Sequence, residues 1–596
     1  MDKLPVNTRQ EEMFENNSRI NFTDIFEPPF EHYKLERVWG TSYSISLDAY
    51  IMVLLAMENS GKVPEIEKGQ ELNKIQLLNI MERNLPKISI LAQHGLISFN
   101  EKFSPTLQAL LWKSVFPQIR ENGSFHPKIW LAAFRNQDAE NTEEYVFRLL
   151  VTSRNLTQDT DFDAAIVFES TPAPQGKIQE HPQIQEILGE TLSGEWSDKL
   201  KRVQFFPFGK RYHIFDTAEL PKEGVHSVVS PFLDNQKLSE LRKQGLQNVF
   251  STRKAISNLN DELKRSELNF YEFRMMDTVL TENISEEQSS RNRHYNIHAK
   301  LYFSEKDLYL GSRNCTCRGW NQNVEFMVKI PTEETAEKLS DSMVYNPEGT
   351  EMQSSDYNRK NALFQPCNAE NLIPEPETEE EKTKSALVDF LKSVRANAVY
   401  ANGQFILNLD QPELPGYNLS ISPLLSWESA NRKEKSWQKE IIWEDFPEKD
   451  VSPYFIVFDS KSRNIALTLF AGMKTEPESD SYLTRFKEKM TVNEWLEYLC
   501  SGNEVPLTNF RIEHFGESDS GNSSRKQEYG DNHRYLERLL RNITADKHLA
   551  RKYSDDLEKA INTGSDGPSR KKELQQLLTF FKILADKTKG TDDERS

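Results

Sequence analysis

The sequence YNIHAKLYF occupies residues 295–303 and is followed by GSRN at residues 311–314. A second stretch, FHPKIW at residues 125–130 with TSRN at residues 152–155, repeats the same features. Each copy holds a histidine and a lysine two residues apart, an apolar run that favours a β-strand, and then a Ser-Arg-Asn tripeptide. Because alternate residues of a strand point to one face, the histidine and lysine of each copy are predicted to share a face.

The two copies also share the order of their predicted elements. Lys300 and Asn314 are 14 residues apart, which fits a strand, a short turn and a returning strand. Lys128 and Asn155 are 27 residues apart, and the additional length fits a longer polar loop at residues 135–144 between two strands. A third strand is predicted after each asparagine. This repetition, with strands and helices alternating in both halves, predicts an α/β class with two pseudo-symmetric units that share one site.

Length and composition limit the class of protein. The chain has 596 residues, too many for one hydrophobic core. Its 92 acidic and 74 basic residues give a net charge of −18, which argues against a nucleic-acid coat protein but leaves room for a locally basic groove. Four scattered cysteines predict a reducing compartment, with no disulfide framework and no zinc site. No signal peptide or membrane-spanning run is recognisable, so we expect a cytoplasmic protein. We also expect no metal and no cofactor.

Composition shifts along the chain predict seven segments. Proline and a run of glutamates near residue 375 suggest a solvated linker, and short strands follow it. The predicted segments are a polar N-terminal arm at 1–28, a first α/β unit at 29–215, a second at 216–370, an acidic linker at 371–384, a β-rich accessory domain at 385–515, a linker at 516–532, and a helical C-terminal region at 533–596 that forms a hairpin.

The repeated residues suit chemistry at phosphorus. An imidazole has an ordinary pKa of about 6.5, so near neutral pH it can act as a nucleophile or as an acid. Two histidines that face one cleft can divide a displacement: one attacks and becomes a phosphohistidine, and the other protonates the leaving oxygen and then activates water. Lysines and asparagines can stabilise the developing charge without a metal. The candidates are His126, Lys128 and Asn155 with His298, Lys300 and Asn314, and Ser153 and Ser312 are candidates for orienting the opposing side chains or contacting substrate.

The paired motifs resemble the phospholipase D superfamily, whose pattern is His-x-Lys, a later acidic residue and Gly-Ser-x-Asn, over about residues 30–370. The chain departs from this pattern at Ala133 and Thr152, and it has Glu305 at the acidic position of the second copy. In motif style it is most similar to the tyrosyl-DNA phosphodiesterase branch and to bacterial nuclease-like members. The resemblance implies that His126 is the nucleophile and His298 the acid.

Two carboxylates follow the asparagines. The resemblance also implies that Glu325, in an Asn-x-Glu pattern, supports a catalytic histidine, although a carboxylate at a strand edge or in an ion pair fits the sequence equally well. For Asp163 we expect a structural role, so a second supporting acid is not identified.

These observations favour a metal-independent phosphodiesterase or nuclease that acts on nucleic acid, preferably DNA. The basic residues Arg291 and Arg293 precede the second motif and are candidates for a phosphate-binding groove, or for an ordinary solvated surface. The nuclease-like relatives imply a bacterial defence or restriction system with an ATPase or helicase partner. The alternative class is a phosphate- or nucleic-acid-binding assembly subunit without turnover. A phospholipid hydrolase is disfavoured because no membrane-binding segment is recognisable, and no membrane partner is expected.

Overall fold

The computed structural model describes most of the chain. The described residues are 22–61, 74–100, 103–138, 144–158, 161–173, 177–207, 216–217, 224–273, 296–331, 363–374, 376–411, 413–427, 433–461, 466–474, 548–563 and 568–589. Most of the predicted polar arm, Arg291, Arg293 and the linker predicted at 516–532 lie outside these ranges.

The chain divides into two compact parts. The first comprises Met1–Lys62, Ile88–Ile97 and Pro117–Ser393, and the second comprises Val63–Lys87, Ser98–Phe116 and Val394–Ser596. Val63–Lys87 and Ser98–Phe116 were predicted to belong to the first α/β unit, but they group with the residues after 393. Both copies of the His-x-Lys motif lie in the first part.

The strands, numbered in chain order, are β1 Tyr33–Ser42, β2 Ile88–Gln93, β3 Ile97–Ser98, β4 Val115–Gln118, β5 Ile129–Asn136, β6 Tyr145–Thr152, β7 Ala165–Pro172, β8 Val203–Pro207, β9 Asp216–Thr217, β10 Val225–Val229, β11 Asn248–Ser251, β12 Asn269–Phe273, β13 Leu301–Ser304, β14 Asp307–Gly311, β15 Met327–Pro331, β16 Phe364–Pro366, β17 Ala396–Ala401, β18 Gln404–Leu409, β19 Leu419–Pro423, β20 Lys435–Ser436, β21 Glu440–Trp443, β22 Tyr454–Asp459, β23 Ala466–Phe470 and β24 Gly472–Met473.

The α-helices among the described residues are α1 Leu47–Glu58, α2 Lys74–Asn84, α3 Pro105–Trp112, α4 Pro182–Leu188, α5 Glu195–Leu200, α6 Asn235–Lys243, α7 Arg253–Ser257, α8 Asp261–Lys264, α9 Cys317–Asn321, α10 Glu379–Leu391, α11 His548–Thr563 and α12 Pro568–Lys589. In the described part of the chain, no helix is both long enough and apolar enough to cross a bilayer.

Two large sheets in the first part have corresponding strand orders. One sheet runs β4-β2-β1-β5-β6-β7-β8, and the other runs β16-β12-β11-β10-β13-β14-β15-β9. In each, two parallel strands (β1 with β2, β10 with β11) are followed by an antiparallel series that begins with the strand after the His-x-Lys motif. The mixed sheets and their helices confirm the predicted α/β class.

One hydrophobic core joins these two sheets. Leu131 and Leu149 of the first sheet belong to the same buried cluster as Leu301, Phe303 and Leu310 of the second. Alternate residues of each strand enter this cluster because successive side chains point to opposite faces of a sheet. The opposite face of the second sheet packs against α6, α7 and α8 through a separate cluster. The shared core holds the starts of β5 and β13 within one body.

Four-stranded and five-stranded sheets follow, in the orders β21-β18-β17-β24 and β20-β19-β22-β23-β3. The short strands predicted after the acidic run are confirmed. Two C-terminal helices pack on each other, with the Tyr553 and Phe581 rings 5.5 Å apart and Lys582 paired with Glu558 at 3.0 Å, as expected for a helical hairpin. The first of these helices begins at His548, and residues 533–547 lie outside the described residues.

Helices α7 and α8 are separate, because the Asn260 side chain accepts a hydrogen bond from the backbone N–H of Leu263 and starts a new helix. One segment prediction was wrong in detail. The acidic run predicted as a linker starts helix α10 instead. Thr378 and Glu381 form a capping box there, and the glutamates lie in the first turn, where the helix dipole favours negative charge.

Candidate active site

The residues just before β5 are held by a segment of the second sheet. Phe125 and Val324 form a parallel β-bridge, His126 N–H donates to the carbonyl of Val324 at 3.0 Å, and Val324 N–H donates to the carbonyl of Ser124 at 2.9 Å. The side chain of Gln93, at the end of β2, also accepts from Phe125 N–H at 2.6 Å. The backbone of the first His-x-Lys motif is therefore fixed from both sheets.

The second motif is held in the reciprocal way. Phe162, in the loop before β7, forms a parallel bridge with Ile297. Phe162 N–H donates to the carbonyl of Asn296 at 2.7 Å, and the carbonyl of Phe162 accepts from His298 N–H at 2.8 Å and from Ala299 N–H at 3.1 Å. Each motif is thus clamped by the loop that follows the Ser-Arg-Asn tripeptide of the other sheet.

Glu325 supports the imidazole of His126. Its Oε2 lies 2.9 Å from Nδ1 of His126 and accepts a hydrogen bond from the Ser312 hydroxyl, while its Oε1 accepts from Asn323 Nδ2 at 3.0 Å. The Glu325 side chain is 0 % exposed. The carboxylate accepts a hydrogen bond from Nδ1–H, so the lone pair of the neutral ring lies on Nε2.

The environment of His126 keeps its ring neutral. Burial is the largest influence and lowers the pKa of His126 to about 4; Glu325 opposes the effect, and the nearby Lys128 adds to it. At neutral pH the ring therefore carries no proton on Nε2. A neutral imidazole held by a carboxylate through Nδ1 is arranged as a nucleophile.

His298 has a different carboxylate partner. Its Nδ1 lies 3.4 Å from Oδ2 of Asp161, whose other oxygen accepts a hydrogen bond from Asn296 N–H at 3.1 Å. Asp161 was not predicted from the sequence, because it precedes the predicted strand and belongs to no motif. The bridge between Phe162 and Ile297 places Asp161 beside the second motif, where its carboxylate lies next to His298.

The two lysines are buried and close enough for their charges to interact. Lys128 Nζ donates to the carbonyl of His126 at 2.8 Å, and Lys300 Nζ donates to the carbonyl of His298. Burial and the neighbouring Lys300 hold the pKa of Lys128 well below its usual range. Burial lowers the pKa of Lys300 to about 8, against the pull of Asp163 and Glu325. An anion bound here would relieve the repulsion between the two ammonium groups.

Asp163 belongs to the same cluster. It accepts a hydrogen bond from the Ser153 hydroxyl at 3.1 Å and lies 3.5 Å from Arg154. Burial raises the pKa of Asp163 to about 6, although Lys300 and Arg154 oppose this shift. The contact between Ser153 and Asp163 matches the contact between Ser312 and Glu325. The structural role expected for Asp163 remains a prediction.

Both asparagines present an unsatisfied atom. The side-chain oxygens of Asn155 and Asn314 are buried and have no hydrogen-bond partner in the structure. A buried polar atom without a partner is costly, and native proteins usually satisfy it. The same atom is unsatisfied in both copies, which suggests that a bound ligand completes each amide.

Nine of the predicted site residues therefore lie in the bridged segments and in the loops after β6 and β14: His126, Lys128, Ser153, Asn155, His298, Lys300, Ser312, Asn314 and Glu325. Hydrogen bonds or charge interactions connect His126, Lys128, Lys300, Glu325 and Asp163. His298 is joined to this set through Asp161 and the backbone of Phe162. The hydroxyls of Ser153 and Ser312 contact the carboxylates of Asp163 and Glu325. Asn155 and Asn314 follow those serines by two residues. Within the described ranges, no group of three or more His, Cys, Asp or Glu side chains has the arrangement of a metal site.

No protein-family model matches the chain, and no curated protein matches it. Among solved structures, the chain is similar to phosphatidylserine synthase of Haemophilus influenzae Rd KW20, with 10 % sequence identity and a TM-score of 0.28. The match covers 60 % of this chain and 87 % of the other.

Proposed function

We propose that this protein is a phosphodiesterase that cleaves nucleic acid through a covalent phosphohistidine on His126. The observation that carries the proposal is the reciprocal support of two imidazoles. Glu325, in the segment before β15 of the second sheet, lies 2.9 Å from Nδ1 of His126, and Asp161, in the loop before β7 of the first sheet, lies 3.4 Å from Nδ1 of His298. Two carboxylate-supported imidazoles beside two buried lysines provide a nucleophile, an acid and positive charge in one cluster.

The first step forms the covalent intermediate. The Nε2 lone pair of His126 attacks the phosphorus atom, and a nitrogen–phosphorus bond forms as the bond to the leaving oxygen breaks. His298, protonated on Nε2, gives that proton to the leaving oxygen, which departs as an alcohol. Glu325 stabilises the positive charge that develops on His126 through its hydrogen bond with Nδ1.

The second step restores the enzyme. Neutral His298 takes a proton from water, the resulting hydroxide attacks phosphorus, and the nitrogen–phosphorus bond breaks to return the electron pair to His126. The product is a phosphomonoester, and His298 is protonated again. In both steps Lys128 and Lys300 stabilise the charge on the phosphoryl oxygens, and the Nδ2–H groups of Asn155 and Asn314 donate hydrogen bonds to them.

The choice of nucleic acid as substrate rests on the sequence. The motifs resemble those of nuclease-like proteins, and Arg291 and Arg293 directly precede the second motif, where phosphates of a bound strand would be neutralised. We favour DNA, a cytoplasmic location, and a role in a bacterial defence or restriction system beside an ATPase or helicase. A phospholipid substrate and a binding role without turnover are the outcomes that would replace this proposal.

The test combines cleavage with trapping of the adduct. The full chain is incubated with 5′-labelled single- and double-stranded DNA in EDTA, and with short-chain phosphatidylcholine in a parallel arm. Samples quenched in alkali, in which phosphohistidine survives, are digested and mapped by mass spectrometry. We expect DNA cleavage in EDTA, an adduct on His126, and loss of both in His126→Ala.

His298→Ala should accumulate the adduct when the substrate has a good leaving group. His181→Ala is the matched control, because His181 is also buried but contacts the carbonyl of Val203. Cleavage of the lipid alone would refute the proposed substrate. DNA binding without cleavage or adduct would show an assembly subunit, and cleavage abolished by EDTA would refute the metal-independent mechanism.

A further inference from the structure

The loops after β1 and β10 have the same internal hydrogen bonds. The Ser42 hydroxyl donates to the carbonyl of Ser44 at 2.6 Å and accepts from Leu156 N–H at 2.8 Å. In the second sheet, the Ser230 hydroxyl donates to the carbonyl of Phe232 at 2.7 Å and accepts from Cys315 N–H at 3.0 Å. Leu156 and Cys315 each follow the asparagine of a Ser-Arg-Asn tripeptide.

The correspondence continues to the next helix. Ile45 bridges Leu156 just as Leu233 bridges Cys315. Ser46 N–H donates to the carbonyl of Leu156 at 2.9 Å, and Asp234 N–H donates to the carbonyl of Cys315 at 3.2 Å; these two residues are the N-caps of α1 and α6. The loops at 42–46 and 230–234 therefore align residue for residue.

The aligned loops differ at their second residue, which is Tyr43 in one and Pro231 in the other. The Tyr43 ring lies 4.8 Å from the His126 ring, at an interplanar angle of 71°. The ammonium groups of Lys128 and Lys392 lie 5.6 Å and 5.2 Å from its centroid. Edge-to-face aromatic contacts and cations near a ring are both favourable, so Tyr43 packs against the nucleophile and its lysine together.

This difference matches the exposure of the two imidazoles. The His126 side chain is 9 % exposed, whereas the His298 side chain is 21 % exposed. A proline has a smaller ring and carries no phenol. A buried ring that is fixed on one side suits a nucleophile, and a more open ring suits a group that exchanges protons with a leaving alcohol and with water.

We infer that Tyr43 is a positioning residue that makes His126, and not His298, the nucleophile. The inference rests on the proposed phosphohistidine mechanism and adds a cause for the division of labour between two otherwise similar half-sites. The aromatic ring limits rotation of the imidazole and keeps water away from it. The phenol hydroxyl is not required for either effect.

Two variants separate the ring from the hydroxyl. Tyr43→Phe should retain phosphohistidine formation within about twofold, because the ring remains. Tyr43→Leu should lower the single-turnover rate of adduct formation about tenfold or more while KM changes less than about threefold, since an imidazole that samples other orientations attacks less often. Tyr145→Leu is the matched control: Tyr145 contacts Lys199 and Trp196, but it lies at the opposite end of β6 from Asn155.

A second measurement does not depend on turnover. In protein labelled with ¹⁵N-histidine, the His126 ring is titrated by NMR. Loss of the Tyr43 ring admits water, and because burial lowers the pKa of this ring, the pKa should rise towards its ordinary value in Tyr43→Leu and stay unchanged in Tyr43→Phe and Tyr145→Leu. Tyr43→Met replaces Tyr43→Leu if the leucine variant fails to fold.

An unchanged His126 titration together with an unchanged adduct rate in the folded Tyr43→Leu or Tyr43→Met variant would overturn the inference. The inference would also be overturned if Tyr145→Leu lowered the adduct rate as much as the Tyr43 variant does. If the wild-type protein forms no adduct on any histidine, the proposed function itself fails, and the titration still reports whether Tyr43 controls the environment of His126.

Discussion

Replacing Glu325 with glutamine removes one negative charge from the site and keeps the shape of the side chain. The carboxylate lies against three donors, with Nδ1 of His126 at 2.9 Å, the Ser312 hydroxyl, and Nδ2 of Asn323 at 3.0 Å. A glutamine has one oxygen and one NH2 group in place of the two oxygens. Whichever way the amide turns, a donor faces a donor on one side, and the hydrogen bond with His126 is lost or weakened.

The expected loss follows from that hydrogen bond. A hydrogen bond to a charged group contributes about 1.5–3 kcal/mol. At about 1.4 kcal/mol for each tenfold change in rate, Glu325→Gln should lower the rate of phosphohistidine formation by about 10- to 150-fold. Turning of the imidazole, or a change of its tautomer, would increase the loss further.

The assay is rapid-quench measurement of the adduct under single-turnover conditions, with circular dichroism and thermal unfolding to show that the variant is folded. Glu169→Gln is the matched control, because Glu169 accepts two hydrogen bonds from Arg148 at 3.2 and 2.8 Å away from the candidate active site. A Glu325→Gln protein that forms the adduct at the wild-type rate, or one that loses no more than Glu169→Gln, would refute the reasoning that Glu325 stabilises the charged His126.

Three further predictions concern the other polar groups of the site. Asp161→Asn should slow cleavage of DNA about tenfold but cleavage of a p-nitrophenyl phosphodiester less than about threefold, because a good leaving group needs little help from His298; equal losses on both substrates would contradict this role. The pKa of Lys300 is about 8, below its ordinary value of 10.5 because of burial, so kcat/KM should fall above about pH 8 as the ammonium is lost. Lys300→Arg should remove that fall, since arginine stays charged, and an unchanged alkaline limb would show that another group titrates. Tungstate at about 100 times its Kd should raise the free energy of unfolding by about 2.7 kcal/mol, as measured by thermal unfolding. This stabilisation should vanish in Lys128→Met. It should persist in the control Lys264→Met, which removes a buried lysine that donates to the carbonyls of Ser257 and Leu372.

Local patterns predicted the elements around the site. The apolar runs after Lys128 and Lys300 form strands β5 and β13, and the returning strands lie where the spacing to the asparagines placed them. The third strand of the second copy, β15, begins only at Met327, because Val324, three residues earlier, forms a bridge with Phe125 instead. The interaction between distant segments decided that boundary.

The site was only partly predictable for the same reason. His126 and Glu325 are 199 positions apart in the chain, and the repeated motif and the resemblance drew attention to both. Asp161 stands in no recognisable pattern, and only the bridge between Phe162 and Ile297 brings it to His298. The helix start at Thr378 carried a readable signal, the capping box, which the acidic composition of the segment obscured.

The distribution of the supporting carboxylates has a consequence for protein synthesis. A growing chain acquires His126 early, but the carboxylate that holds this imidazole is added only when translation reaches residue 325. Until then the ring lacks both its ion-pair partner and the backbone contact with Val324. Under the proposed function, a hydrolase of this design should have little activity on the ribosome until most of the first compact part has been made, and a prematurely terminated product ending before residue 325 should cleave nucleic acid far more slowly than the full chain.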